Sequence, residues 1–306
     1  MTAESPYRTP AAFRSAVDAK LRVQARRDGR PFAEVRREFL YQRFLARVFH
    51  EESLWVLKGG IGLLTRLPGA RHSRDIDLMH LTATPAAAEA EVRAIGRRNL
   101  GDHLRFEIVR SVTLSVQDAL RLKAEAYTGA TKWESFDIDV SCERHFVAAL
   151  ESVQPKPILE VSGVPPLPAF RLYPLVDQIA DKVTAMYEIH SHGEPSNRYR
   201  DLVDLALLIG AEAMDAALLH AALRSREKNA RNPVVLPPAL RSPGSGWVDG
   251  YPAEASRTSL DRDLHLLDAA LAYVGACLNP ILAGTLTTGR WNPRTLSWAA
   301  LSRPEP

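Results

Sequence analysis

The chain has 306 residues, 46% of them hydrophobic and 25% charged, which is enough to bury a sizeable core and exceeds the usual single-domain length of roughly 100–200. No stretch reaches the ~18 uninterrupted apolar residues of a membrane helix, and a net charge of +3 is compatible with a phosphate-rich partner without identifying one. Only Cys142 and Cys277 are available for a disulfide, and the start lacks a basic segment leading into an apolar run, so the expected location is the cytoplasm.

In chain order, Arg8 to Arg27 reads as a helix, and Pro31 opens a second one in which Val35, Phe39, Phe44, Val48 and Phe49 form an amphipathic stripe. Leu54-Trp55-Val56-Leu57 suits a buried strand ended by Lys58-Gly59-Gly60. A short helix from Ile61 to Leu67 and a strand from Asp75 to Leu81 follow. Pro85 to Asn99 is helical, and Leu104–Val109, Val112–Val116, Leu122–Thr128 and Phe136–Cys142 are β-prone. Six prolines between Val153 and Pro174 predict a crossing into a second lobe. Helices then dominate: Leu175–His190, Arg198–Ile209, Ala213–Arg224 and Asp261–Leu278, with a long loop from Asn232 to Pro252. The expectation is an α/β lobe with a mixed sheet over 1–170, preceded by helices, and a mainly helical lobe over 171–306.

The most informative stretch is Val56-Leu57-Lys58-Gly59-Gly60, followed after an apolar helix by Ser73-Arg74-Asp75-Ile76-Asp77-Leu78. Alternation along a strand puts Asp75 and Asp77 on one face. Two adjacent carboxylates repel unless a cation lies between them, and hard oxygen ligands at that spacing suit Mg²⁺ shared with substrate phosphates. A Gly pair admits backbone N–H groups to a triphosphate, and the next helix adds its positive N-terminus. A Gly-Gly turn alone is usually structural, and a lone Asp-x-Asp also occurs in glycosyltransferases and phosphatases. Both in this order predict a nucleoside-triphosphate site.

At these residues the chain resembles the nucleotidyltransferase superfamily, and more closely its AbiEii (MenA-like) toxin branch. In that branch the Gly-Gly-helix-Ser-x-Asp-x-Asp segment is the nucleotide and metal motif, here Lys58 to Asp77. Phe136-Asp137-Ile138-Asp139-Val140 is similar to the branch's later strand with a third carboxylate, assigned to Asp139 with Asp137 as the alternative on the same face. Asp181-Lys182-Val183 is similar to its helix lysine, and Arg198-Tyr199-Arg200-Asp201-Leu202-Val203-Asp204-Leu205 to its final Arg-x-(Lys/Arg)-Asp-x-x-Asp helix. The matching blocks span Val56 to Leu205. One departure is Ile61-Gly62, where family members often place Thr or Ser directly after the Gly pair. The resemblance implies a nucleotidyltransferase-like, polymerase-β-type first lobe, a tRNA acceptor end as target, and a cognate antitoxin encoded elsewhere.

The residues themselves agree with the lysine assignment: Leu175, Ile179, Val183 and Met186 make an apolar stripe with Lys182 at its edge, and Asp201 and Asp204 share a helix face. The expected reaction is in-line attack by an RNA hydroxyl on the α-phosphate of a nucleoside triphosphate. Asp75, Asp77 and Asp139 would hold Mg²⁺, or Mn²⁺ in its place, with Asp139 alternatively accepting the hydroxyl proton. Lys182 would balance triphosphate charge, Asp204 would orient Lys182 or meet substrate, and Lys58, Gly59, Gly60 and Ser73 would contact nucleotide. Arg198, Arg200, Arg224, Arg226 and Lys228 are the candidate RNA-phosphate contacts. Two rivals use the same site: a kinase passing the γ-phosphate, and a catalytically inert nucleotide-binding regulator. His190-Ser191-His192-Gly193-Glu194 reads as a helix cap, and Trp247, Tyr251 and Trp291 as core aromatics.

Overall fold

The computed structural model describes residues 6–114, 119–142, 145–189, 193–229 and 234–300. Two helices come first, α1 (Pro10–Asp28) and α2 (Phe32–Val48). The Thr9 hydroxyl caps α1 by accepting from Ala12 N at 3.2 Å, Pro10 occupies its first turn, and Gly29 ends it with φ +63°. Next come β1 (Trp55–Lys58), α3 (Gly59–Arg66), β2 (Asp75–His80) and α4 (Pro85–Gly96), the last opened by the same Thr-Pro device at Thr84-Pro85. The strands β3 (Leu104–Thr113), β4 (Ala119–Thr128), β5 (Thr131–Ser141), β6 (Glu151–Val153) and β7 (Phe170–Leu172) complete a sheet in the order β3-β4-β5-β2-β1-β7-β6.

The sheet is mixed, as expected from the sequence. β1 pairs antiparallel with β2, and β2 pairs parallel with β5. The two β-prone runs read from Leu104 onward are one strand, β3, in which a register shift between Ile108 and Arg110 marks a bulge; Val116 lies outside the described residues. The proline-rich stretch does more than cross over, because it is bounded by two strands and Leu172 of β7 pairs with Leu57 of β1. On one face Ile76, Leu78, Leu122, Ala124, Phe136, Ile138 and Val140 are buried. Rings of α2 pack there edge-on, with Tyr41 and Phe136 centroids 5.0 Å apart and Phe44 and Phe106 5.4 Å apart.

Beneath them lies a fully buried ion cluster. Arg47 reaches Asp102 Oδ1 at 2.5 Å and Arg43 reaches Asp102 Oδ2 at 3.0 Å, while Arg47 also donates to the carbonyls of Arg43, Arg98 and Leu104. Paired and hydrogen-bonded charges are tolerated in a core, and of these two guanidinium groups only Arg43 Nη2 is buried without a partner among the described residues.

The chain divides into two compact units: residues 1–68, 72–144 and 151–172 form one, and 69–71, 145–150 and 173–306 the other. The second unit contains α5 (Leu175–Tyr187), α6 (Tyr199–Ala211), α7 (Ala216–Asn229), α8 (Trp247–Ala255), a 3-10 turn at Arg262–His265, and α9 (Leu267–Leu282). A hairpin of β8 (Arg290–Asn292) and β9 (Ser297–Ala299) follows. Helix α8 falls where a loop is expected, because Trp247, Tyr251 and Ala255 at four-residue spacing are buried and Gly250 admits the Tyr199 ring against its Cα. Trp291 is also buried, so the expected core aromatics are in the core. The run 190–192 of the histidine-containing cap lies outside the described residues. No helix among the described residues is long and apolar enough to cross a membrane.

Candidate active site

The sheet face opposite the apolar one carries the chemistry. Register pairs Asp75 with Asp137 and Asp77 with Asp139 across β2 and β5, and pairs Lys58 of β1 with Asp77. Paired residues point to the same side of a sheet, so four carboxylates form a two-by-two block with strands about 4.8 Å apart. Their intervening neighbours Ile76 and Ile138 are fully buried, which fixes which face the aspartates must take.

The Gly pair is shaped by this block. Gly59 opens α3 with φ +60°, and a Cβ on it would overlap the Asp77 carboxylate, while a Cβ on Gly60 would lie 2.6 Å from Ser73 Oγ. The glycines are thus required by the side chains of the Asp motif, whatever else approaches their N–H groups. Asp77 is thereby held beside the positive end of α3. Ser73 is buried and donates its hydroxyl to Asp75 Oδ1 at 2.9 Å. Tyr41 of α2 donates to the carbonyl of Arg74 at 2.6 Å, which anchors the backbone just before Asp75. Burial of that phenol raises its pKa, so it stays a donor.

Gly29 provides an internal comparison, since it has φ +63° but no atom within 4 Å of the place a Cβ would take. Gly29→Ala should therefore incur only the left-handed backbone strain, a loss of about 1–2 kcal/mol of stability. Gly59→Ala carries the same strain and must also displace Asp77. We expect it to be the more destabilised of the two in urea unfolding and to lose catalytic activity, which Gly29→Ala retains. Equal stability losses with activity kept in both would show that Asp77 does not need the Gly59 cradle.

Two cations that the strand pattern alone does not flag lie on the same face. Arg121 of β4 grips Asp139 with both arms, Nε to Oδ1 at 2.7 Å and Nη2 to Oδ2 at 2.6 Å, and Lys123 Nζ is 3.1 Å from Asp137 Oδ1. The hydrogen bond and charge of Asp139 hold the Arg121 guanidinium well above its usual pKa. Like charges directly opposite destabilise a sheet, and β4 relieves this by countering the β5 column.

Among the described residues no three His, Cys, Asp or Glu side chains converge as a metal-holding group. Both oxygens of Asp139, the expected third ligand beside Asp75 and Asp77, are engaged by Arg121. The residues do fit a divalent cation through the β2 pair, since Mg²⁺ takes one or two carboxylates and completes its shell with water and phosphate oxygens.

Lys182 and Asp204 lie in the second unit. Lys182 is buried on α5, with Nζ 3.0 Å from Asp201 Oδ1 and 2.6 Å from Asp204 Oδ2 of α6. Arg71 forks onto Asp204 at 2.8 Å to each oxygen, and Arg198 Nε is 2.5 Å from Asp201. Burial alone would lower the Lys182 pKa, but Asp201 and Asp204 outweigh it and hold the pKa up. Asp201 is shifted the other way: burial would raise it, and Lys182 with Arg198 brings it below the ordinary value. Two aspartates from α6, Asp201 and Asp204, draw the lysine inside.

The arginines expected to meet RNA are committed locally. Arg198 pairs with Asp201, Arg200 with Glu254 at 2.8 Å, Arg224 with Glu227, and Arg226 with Asp181 at 2.6 Å. Arg226 also donates to the Tyr173 hydroxyl and the His145 carbonyl, which makes it a structural tie within its unit. Lys228 is exposed near the end of α7.

A family model described as the nucleotidyl transferase AbiEii toxin of a type IV toxin-antitoxin system matches residues 39–272. No curated protein matches significantly. Among solved structures, the chain is similar to MenT4, a nucleotidyltransferase toxin from Mycobacterium tuberculosis H37Rv, with 16% identity, a TM-score of 0.51 and coverage of 83% of this chain and 98% of that one. It is also similar to JHP933 from Helicobacter pylori, with 16% identity, a TM-score of 0.43 and coverage of 80% and 89%. The MenT4 likeness shows a shared fold. The family match covers the whole carboxylate block and the lysine helix.

Proposed function

The chain belongs to the AbiEii nucleotidyltransferase toxin family, and from that premise we propose that it transfers a nucleoside monophosphate from a nucleoside triphosphate to RNA, at the acceptor end of tRNA. The observation that carries this reading is the Asp75/Asp77 pair, set across register from Asp137/Asp139 and packed under the Gly59-Gly60 turn. Such a block presents concentrated negative charge that suits a cation shared with phosphates.

Asp75 and Asp77 would hold Mg²⁺, which when bound would neutralise phosphate charge and orient the pyrophosphate leaving group. Ser73 fixes the Asp75 carboxylate by its hydrogen bond. The RNA hydroxyl oxygen forms a bond to the α-phosphorus, the bond from that phosphorus to the bridging oxygen of pyrophosphate breaks, and the hydroxyl proton passes to water, while Asp139 would complete the metal site. Lys58, with the N–H groups of Gly59 and Gly60, is assigned to the nucleotide. Lys182, oriented by Asp204, is assigned to balancing triphosphate charge. An antitoxin that restrains this activity is the expected protein partner.

The test is to incubate the purified protein with total tRNA, Mg²⁺ and each α-³²P-labelled nucleoside triphosphate in turn, then resolve the products on a denaturing gel. Label should appear on RNA with one or two of the nucleotides and pyrophosphate should be released. Transfer of label only from a γ-³²P donor, with no pyrophosphate, would replace this reading with a kinase.

A further inference from the structure

Unit 1 contains two arginine–aspartate pairs of the same chemistry and opposite design. Arg47 and Asp102 are both fully buried, and three backbone carbonyls lock the guanidinium in place. Arg121 is 52% exposed, bonds no backbone carbonyl, and leaves Nη1 without a partner among the described residues. A locked pair is architecture. An exposed pair flanking the carboxylate block is weak enough to exchange partners.

Geometry says what it would exchange for. Asp139 stands opposite Asp77 on the neighbouring parallel strand, so a cation seated on Asp77 is within reach of Asp139 once Arg121 lets go. The released guanidinium is a planar fork that suits a phosphate as well as it suits a carboxylate. Its neighbour Lys123, two residues along the same face, contacts Asp137 and adds positive charge beside it.

We propose that Arg121 is an exchangeable counter-ion: without nucleotide it occupies Asp139, and when a Mg²⁺-bound nucleoside triphosphate arrives it moves onto the phosphates while the metal takes over Asp139. This rests on the nucleotidyl-transfer reading above for its ligand. It makes the third carboxylate conditional, so the full metal set forms only with substrate present. Arg121 is then a substrate-binding residue, and bare divalent cations bind weakly because the guanidinium competes for their ligand.

The test uses the full chain and needs no turnover. Mn²⁺ binding without nucleotide is followed by loss of the free-ion paramagnetic resonance signal in wild type, Arg121→Gln, Asp139→Asn and the double variant. Arg121→Gln should bind Mn²⁺ about tenfold more tightly than wild type, and the gain should vanish in the double variant. Calorimetry with Mg²⁺ and the α,β-methylene analogue of each ribonucleoside triphosphate should show binding about tenfold weaker in Arg121→Gln for whichever analogue wild type binds. Unchanged or weaker Mn²⁺ binding in Arg121→Gln, no Mn²⁺ binding by any variant, or a gain that survives Asp139→Asn overturns the competition. Unchanged analogue binding in Arg121→Gln overturns the move to phosphate. If wild type binds Mn²⁺ with this pattern yet binds no analogue and labels no RNA, the functional reading fails while the competition stands.

Discussion

Asp75→Ala and Asp77→Ala should each cut nucleotidyl transfer by at least about a hundredfold while the protein remains folded, and EDTA should abolish transfer in the wild type. Both side chains are only half-buried, so truncation leaves no core cavity. Asp75 gives up one hydrogen bond from Ser73, and Asp77 vacates the space over Gly59. What is lost is charge at the place where a phosphate-bound cation needs it, and electrostatic stabilisation of this kind is usually the largest catalytic contribution. Asp77→Asn preserves shape and removes charge, so it should be nearly as inactive as Asp77→Ala. Circular dichroism and urea unfolding check folding, and labelled nucleotide transfer checks activity. Growth arrest on expression gives a third readout that separates an enzyme from an inert nucleotide-binding regulator. Arrest that persists in Asp77→Ala would favour the regulator, and full transfer in EDTA would remove the metal from the mechanism.

The carboxylate block is legible in the sequence because strand side chains have a period of two. Asp75-Ile76-Asp77 and Asp137-Ile138-Asp139 each declare a polar face and a buried one without knowledge of any partner strand. That the two faces coincide is a matter of register, and register between β2 and β5 joins residues some sixty positions apart. Arg121 escapes for a related reason. Reading β4 as beginning at Leu122 leaves Arg121 just outside the strand, whereas the strand begins at Ala119 and Arg121 pairs with Asp139. The alternating Arg-x-Lys-x-Glu of residues 121–125 is a usable signal only when set against the aspartates of β5. Helix α8 is hidden by its own composition, since Gly250 and Pro252 read as loop until the Tyr199 ring against Gly250 is known. The Gly59-Gly60 turn is the opposite case. Its position is plain from the sequence, but the demand for glycine comes from Asp77 and Ser73 packing onto it.

Lys182→Ala should lower the unfolding free energy by about 3 kcal/mol, a larger loss than a surface lysine would give. Sequence periodicity places Lys182 beside the apolar stripe of α5, and from that position alone its removal would cost charge and little stability. The structure changes the expectation, because Asp201 and Asp204 are both almost completely buried and both bond Lys182 Nζ. Removing the lysine leaves two buried carboxylates to Arg198 and Arg71, each of which already holds one of them. The cost is the desolvation of charge no longer fully compensated, reduced by what those arginines still supply. The pH dependence has two windows. Lys182 is held above its ordinary pKa, so its contribution is complete below about pH 10.4 and is lost as pH rises through the raised value. Asp201 is held below its ordinary pKa, so its contribution is complete above about pH 3.9 and is lost as pH falls through the lowered value. Wild-type stability should therefore fall at both extremes, and Lys182→Ala should flatten the alkaline limb. Adding Asp201→Asn to Lys182→Ala should recover part of the lost stability, since it removes one of the stranded charges. Urea midpoints for the single and double variants across about pH 3–11 make the comparison. An unchanged midpoint in Lys182→Ala, or a double variant no more stable than the single one, would show that the buried ion cluster does not hold α5 to α6.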